Sequence, residues 1–115
     1  MSKIYAEVEY TPNEVKPLSI QFDDYSTVAL VTSVYGDGVA IFKNGTGQDL
    51  SATNMPSGSA AVSGNIITTR PIQLLEGKNF YIVAVVVTVN GTSQQESGYV
   101  RINVVDEKSG LFRKK

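Results

Sequence analysis

From Phe80 to Val89 the chain carries no charge and only one hydroxyl-bearing aliphatic residue, Thr88. The run ends at Asn90-Gly91, the strongest short-range signal for a tight β-turn. Its apolar residues do not alternate with polar ones. Phe80, Ile82, Ala84 and Val86 fall on one side of a strand, and Tyr81, Val83, Val85 and Val87 on the other. One side meets the protein's own core. The other must be covered by something or stand as an apolar patch. The pattern therefore predicts a strand in a protein that is packed against other proteins.

The rest of the chain is written in shorter β-strand phrases. Ile4, Ala6, Val8 and Tyr10 alternate with Lys3, Tyr5, Glu7 and Glu9, predicting a half-buried first strand. Thr11-Pro12-Asn13-Glu14 is turn chemistry, and Leu18, Ile20 and Phe22 alternate as a second strand. Thr27 to Tyr35 reads as a third strand, and Val39 to Phe42, after Gly36-Asp37-Gly38, as a fourth. Lys43 to Ser59 is rich in Gly, Ser, Thr, Asn and Pro and reads as a loop with one short edge strand near Leu50. Ala60 to Val62 and Ile66 to Thr69 flank Ser63-Gly64-Asn65 as a short hairpin, and Pro71 marks an edge or an irregular crossing. The last strand spans about Gly98 to Val105, with Val100, Ile102 and Val104 on one side. Helical periodicity is nowhere convincing.

About seven short antiparallel strands separated by turn signals predict an all-β fold, an immunoglobulin-like β-sandwich of the fibronectin III-like kind. Leu75-Glu76-Gly77, with Phe80 and the alternation after it, resembles the corner and following strand of fibronectin type III domains. Phe80 then occupies the corner tyrosine's place, without the hydroxyl, while Tyr81 faces the opposite way. The hairpin register is open to two readings. A strict two-residue Asn90-Gly91 turn pairs Tyr81 with Val100. A bulge at Gly91 or Gly98 moves Val100 and Ile102 to the Phe80 side. The bulge is favoured, because it unites Phe80, Ile82, Val86, Val100, Ile102 and Val104 in one core. Tyr81, Val83, Val85 and Val87 are then the partner-covered face.

Composition narrows the chemistry. The 115 residues allow one domain with a single core. Ten Lys and Arg against eleven Asp and Glu, a formal charge of −1, give no electrostatic reason for a nucleic-acid or membrane partner. With no Cys there is no disulfide or thiolate chemistry, and with no His the commonest general base and metal ligand is missing. Glu7 and Glu9 interrupt any signal-peptide core at the start, so synthesis in a cytoplasm is expected. Asn44-Gly45-Thr46 and Asn90-Gly91-Thr92 fit a glycosylation sequon but read better as Asn-Gly turns. Asp23-Asp24 lacks the ligand spacing of a Ca²⁺ loop and reads as solvated strand-end carboxylates. No two carboxylates stand out for glycoside hydrolysis, and there is no Trp to form a sugar platform. The expectation is a non-enzymatic protein with no cofactor and no metal.

Residues 1–106 are predicted to form the domain and 107–115 a docking tail. After Val105, Asp106 to Gly110 breaks the strand. Leu111 and Phe112 are expected to fill a neighbour's apolar pocket, with Arg113, Lys114 and Lys115 meeting carboxylates at its rim.

Glu9-Tyr10-Thr11-Pro12-Asn13-Glu14, Leu18-Ser19-Ile20-Gln21-Phe22, Leu75 to Val83 through Asn90-Gly91, and Val100-Arg101-Ile102-Asn103-Val104 together resemble small virion proteins of tailed bacteriophages. Those are fibre-tail adaptors, head-tail accessory proteins and capsid decoration proteins. The resemblance implies an oligomeric structural protein located in a virion. Its partners would be portal, connector, tail or capsid proteins and further copies of itself. The contacts are expected at Tyr81, Val83, Val85, Val87, Leu111 and Phe112. The alternative is a binding module that recognises a carbohydrate or cell-surface ligand through the loops from Gly45 to Ser59, with Tyr25 and Tyr35 exposed beside them.

Overall fold

Alternating β-branched and aromatic residues set the order of strands. In the computed structural model, which describes residues 2–105, they are β1 (Ser2–Tyr10), β2 (Ser19–Gln21), β3 (Val28–Leu30) and β4 (Val39–Lys43). After a one-turn helix α1 (Ser51–Asn54) come β5 (Ala61–Ser63), β6 (Ile66–Thr68), β7 (Phe80–Val89) and β8 (Gln95–Val104). The fold is all-β, with two sheets. The larger has the order β1-β8-β7-β3, with β4 also on β7, and the smaller has the order β2-β6-β5.

One pairing departs from the antiparallel expectation. β1 runs parallel to β8, with Val8 opposite Ile102 and Tyr10 opposite Val104. Parallel neighbours need a crossover connection. Here the whole domain supplies it, because β1 opens the fold and β8 closes it.

The hairpin register corrects the expected bulge. β7 and β8 pair without interruption from Phe80 opposite Asn103 to Thr88 opposite Gln95. The connection is four residues long, Asn90 to Ser93. It is closed by the Val89 N–H on the Gln94 carbonyl at 3.2 Å and the Thr92 hydroxyl on the Val89 carbonyl at 2.7 Å. Relative to a two-residue turn the register moves by two, an even number, so sidedness is preserved. Tyr81 stands opposite Ile102 and Val83 opposite Val100. Tyr81, Val83, Val85, Val87, Val100, Ile102 and Val104 therefore face inward, and all are buried. Phe80, Ile82 and Val86 face outward and are half-buried.

The third predicted strand is broken. β3 pairs with Val87 to Val89 and β4 with Tyr81 to Val85, so both lie along β7 on the same edge. Between them, residues 31–38 loop out of the sheet. Val86 joins the two pieces: its carbonyl accepts from the Val31 N–H at 3.0 Å, and its N–H donates to the Gly38 carbonyl at 2.9 Å. Gly38 has φ +85°, and a Cβ there would lie 3.1 Å from Leu30 Cδ2 and 3.2 Å from the Val86 oxygen. Only glycine fits this return to the sheet. Asp37 accepts from the Val39 N–H at 3.2 Å and pairs with Arg70 Nε at 3.2 Å, which ties the excursion to the strap after β6.

The small sheet closes over the large one with Leu18, Ile20, Phe22 and Ile67, all buried. Met55, Ile72 and Leu75 plug the space beside it from the connecting segments. The link from β2 to β3 is held by Asn65 in the β5–β6 turn, whose amide donates to the carbonyls of Phe22 and Tyr25 at 3.1 and 2.9 Å. The segment expected as an edge strand near Leu50 is α1, preceded by Asp49, whose carboxylate accepts from the Ser51 N–H at 2.9 Å. So short an element shows no helical period in sequence.

Candidate functional site

Two concave features sit at the same end of the large sheet, on either side of the turn after β4. Asn44 and Gly45 take φ of +53° and +73°, the left-handed conformations an Asn-Gly turn supplies. The Asn44 side chain accepts from the Phe80 N–H at 3.0 Å and donates to Asn79 at 2.9 Å, fixing the turn against the start of β7.

The first feature is a groove on the outer face of the large sheet. Phe42, Ile82 and Tyr99 form one wall and Gly45, Thr46 and Gly47 the other, around about 360 Å³. Phe42 stands opposite Ile82, Ile82 opposite Arg101, and Tyr99 opposite Ala84. Tyr35, on the excursion, meets Phe42 edge-on at 5.9 Å and 72°. On the other flank the Arg101 guanidinium lies 3.8 Å from the centre of the Phe80 ring, and its Nε donates to Asn103 at 2.9 Å. The face is thus aromatic and aliphatic in the middle, with an arginine laid across one end.

The second feature is a cleft of about 480 Å³ at the edge of the sandwich. Lys43, Asn44, Thr46 and Gln48 line one side, Leu50, Thr53 and Asn54 another, and Leu74, Glu76 and Tyr81 the third. Lys43 and Glu76 form an ion pair at its mouth. The hydrogen bond accepted by the Glu76 carboxylate holds the Lys43 ammonium above its ordinary pKa. Below them the Tyr81 hydroxyl accepts from the Glu76 N–H at 3.1 Å.

Tyr81, Val83, Val85 and Val87, expected as a partner-covered face, are core residues exposed by 2% or less. The apolar face open to a partner is the other one, with Phe42, Ile82 and Tyr99. The polar residues Gln95, Ser97, Arg101 and Asn103 mark the outward side of β8, opposite Val100 and Ile102, and the register of the hairpin then sets the matching side of β7. Leu111, Phe112, Arg113, Lys114 and Lys115 lie outside the described residues. Tyr35 is 41% exposed and reaches the groove through Phe42. Tyr25 is half-buried against the core and stands apart from both features. Asp23 and Asp24 are exposed, and no three Asp or Glu side chains gather as a metal-binding group among the described residues.

The second Asn-Gly pair is also structural. Asn90 and Gly91 have φ of +52° and +72°. The Asn90 side-chain oxygen accepts from the Ser26 N–H at 3.0 Å and the Ser26 hydroxyl at 3.1 Å, pinning the hairpin tip to the loop before β3. Compared with known protein families, with curated proteins and with solved structures, the chain matches none.

Proposed function

We propose that the chain is an immunoglobulin-like, non-enzymatic structural protein of a phage particle, present in several copies and working through protein–protein contacts. Strand order supports the fold assignment. The small sheet β2-β6-β5 takes the place of strands B, E and D, while β3 with β4, β7 and β8 take those of C, F and G. The first strand pairs with the last instead of with β2. Tyr81 also makes the bond of a corner tyrosine, to backbone five residues upstream at the start of the F-like strand. The corner residue is thus Tyr81, one position after the Phe80 that the sequence pattern suggested.

The groove of Phe42, Ile82 and Tyr99 carries the contact proposal. It sits on the outer face of the large sheet, flanked by Tyr35 and by Arg101 on Phe80. Aromatic residues and arginine are the side chains that anchor protein interfaces. A further copy of the chain is the first partner, and other virion proteins at a portal, connector, tail or capsid are the remainder. The virion setting rests on the sequence resemblance. Symmetric repetition would add avidity to a modest interface.

Light scattering on the full chain and on Ile82→Lys tests the contact face. The expected result is a multimer for the full chain and a folded monomer for the variant. A full chain that stays monomeric at roughly 100 µM, far above the dissociation constant of a specific interface, overturns self-assembly through this face.

A further inference from the structure

We infer that the cleft beside Tyr81 is a binding site for a neutral, polyhydroxylated ligand, a saccharide. This inference is independent of the outer-face contacts, because the cleft and the groove have different walls and share only Thr46.

The hydrogen-bonding inventory sets the ligand class. Tyr81 Oη accepts from the Glu76 N–H, and among the described residues nothing takes its own hydroxyl hydrogen. Asn54 is 2% exposed, and its amide donates to the carbonyls of Gln73 at 2.8 Å and Leu74 at 3.3 Å. Two carbonyl partners fix which end is nitrogen, so Oδ1 is the acceptor left over. Thr46, Thr53 and Gln48 add groups that both donate and accept. A ligand using all of these must itself offer donors and acceptors in close alternation, as vicinal hydroxyls do.

Charge argues the same way. Lys43 and Glu76 at the mouth cancel, so the cleft has no net attraction for a phosphate or a polycation. Paired with each other, they can still present an ammonium and a carboxylate to adjacent hydroxyls.

Leu50 and Leu74 supply the apolar part. Leu74 is 62% exposed and has φ +58°, a left-handed conformation that a non-glycine residue takes only against a steric cost. Its carbonyl is held by Asn54. The fold thus spends conformational strain to stand an aliphatic side chain at the cleft rim, where it adds nothing to the core. Together with Leu50 in the same lining, it can cover the C–H face of a sugar ring. The volume of about 480 Å³ suits one or two sugar rings and falls within the range of small-molecule sites.

The test is titration of the ¹⁵N-labelled full chain, followed by amide chemical shifts, with glucose, galactose, mannose, rhamnose and N-acetylglucosamine. Each is taken to roughly 50 mM, to cover the weak affinity of a small open site. The expected result is saturable shifts for at least one sugar, confined to amides of residues 44–54 and 73–81. Leu74→Gly should weaken that binding about tenfold, the effect of losing one apolar wall. The same variant should melt no lower than the parent, because glycine relieves the strain at φ +58°. Glu76→Gln, which breaks the ion pair and keeps the backbone bond to Tyr81, should weaken binding without unfolding. No sugar shifting these amides, or binding unchanged in both variants, overturns the assignment.

Discussion

The backbone N–H of Glu76 donates to the hydroxyl of Tyr81 at 3.1 Å, linking the strap after β6 to the first turn-in of β7. Tyr81 is buried in the core and also lines the cleft, so one side chain joins packing to a solvent-facing site. Tyr81→Phe keeps the ring and leaves the Glu76 N–H without its acceptor. The expected loss is about 1–2 kcal/mol, or roughly 5–10 °C in melting temperature. Differential scanning calorimetry checks it, and an unchanged melting temperature would show that the bond carries no net stability.

Adjacent faces of β7 respond oppositely to charge. Val85 is fully buried, so Val85→Lys places an ammonium in the core at a cost of about 4 kcal/mol or more, a large share of a small domain's stability. Ile82 is half-buried on the outer face, where a lysine can extend its amine to water. Circular dichroism should find Val85→Lys unfolded and Ile82→Lys folded. A folded Val85→Lys protein contradicts the register.

Gly38 brings the excursion of residues 31–38 back to the sheet. Gly38→Ala forces a methyl group into Leu30 and the Val86 carbonyl at a left-handed φ of +85°. The expected cost is about 2–3 kcal/mol. Urea unfolding measures it, and Gly36→Ala is the control: it shares the positive φ, but its Cβ meets nothing within 4 Å, so it should cost less.

Tyr10 makes stability sensitive to high pH. Burial, with a smaller contribution from the Glu14 carboxylate, pushes its phenol up to about 12 from 10.0. Its hydroxyl donates to the carbonyls of Lys16 and Pro17 at 3.2 and 3.3 Å, and the Lys16 ammonium lies 4.5 Å from its ring centre. A folded pKa above the unfolded one means that the folded state holds its proton more tightly. The contribution is therefore intact below pH 10 and is lost as pH rises from about 10 to about 12, by up to about 2–3 kcal/mol. Tyr10→Phe should be less stable near neutrality, by about 1 kcal/mol for the lost hydroxyl bonds. Its decline across that alkaline window should be shallower than the parent's. Equal slopes in denaturant melts at pH 9.5 and 11.5 would refute the linkage.

Glu14 has the opposite sign. The Thr11 N–H, which donates to its carboxylate at 2.7 Å, and then Lys16 hold its pKa below the ordinary value. That stability is present above the usual carboxylate pKa and fades as pH falls through the lowered one.

Much of the strand content is legible in the sequence, because alternation and turn residues act locally. The phrases around Ile20, Ile41, Ile67, Ile82 and Ile102 all became strands, and both Asn-Gly pairs became turns with positive φ. Val100, Ile102 and Val104 share the inner face, as their alternation requires. Other features leave no local signal. The one-turn helix at Ser51 is too short to leave a period. The gap between Leu30 and Val39 looked like strand because Val31, Val34 and Tyr35 are good strand formers, yet Gly36 and Gly38 let the chain leave the sheet and return. Tyr81, Val83, Val85 and Val87, expected to meet a partner, face the core instead, because the register of the hairpin keeps the parity of a two-residue turn.

The sequence alone determined that β7 is apolar on both sides, that the fold is built from strands, and that Cys and His chemistry is absent. It could not determine which side of β7 is the core, since Phe80, Ile82 and Val86 are as apolar as Val83, Val85 and Val87. A strand's sidedness depends on the parity of its register with its neighbour, and that parity is set by the length of the turn. Only the assembled sheet decided it, through the four-residue connection from Asn90 to Ser93 that places Tyr81 against Ile102. The cleft and the groove are likewise tertiary. Lys43, Asn54, Leu74 and Tyr81 are distant in sequence, and they share a site because β4, α1, the strap after β6 and β7 meet at one end of the sandwich.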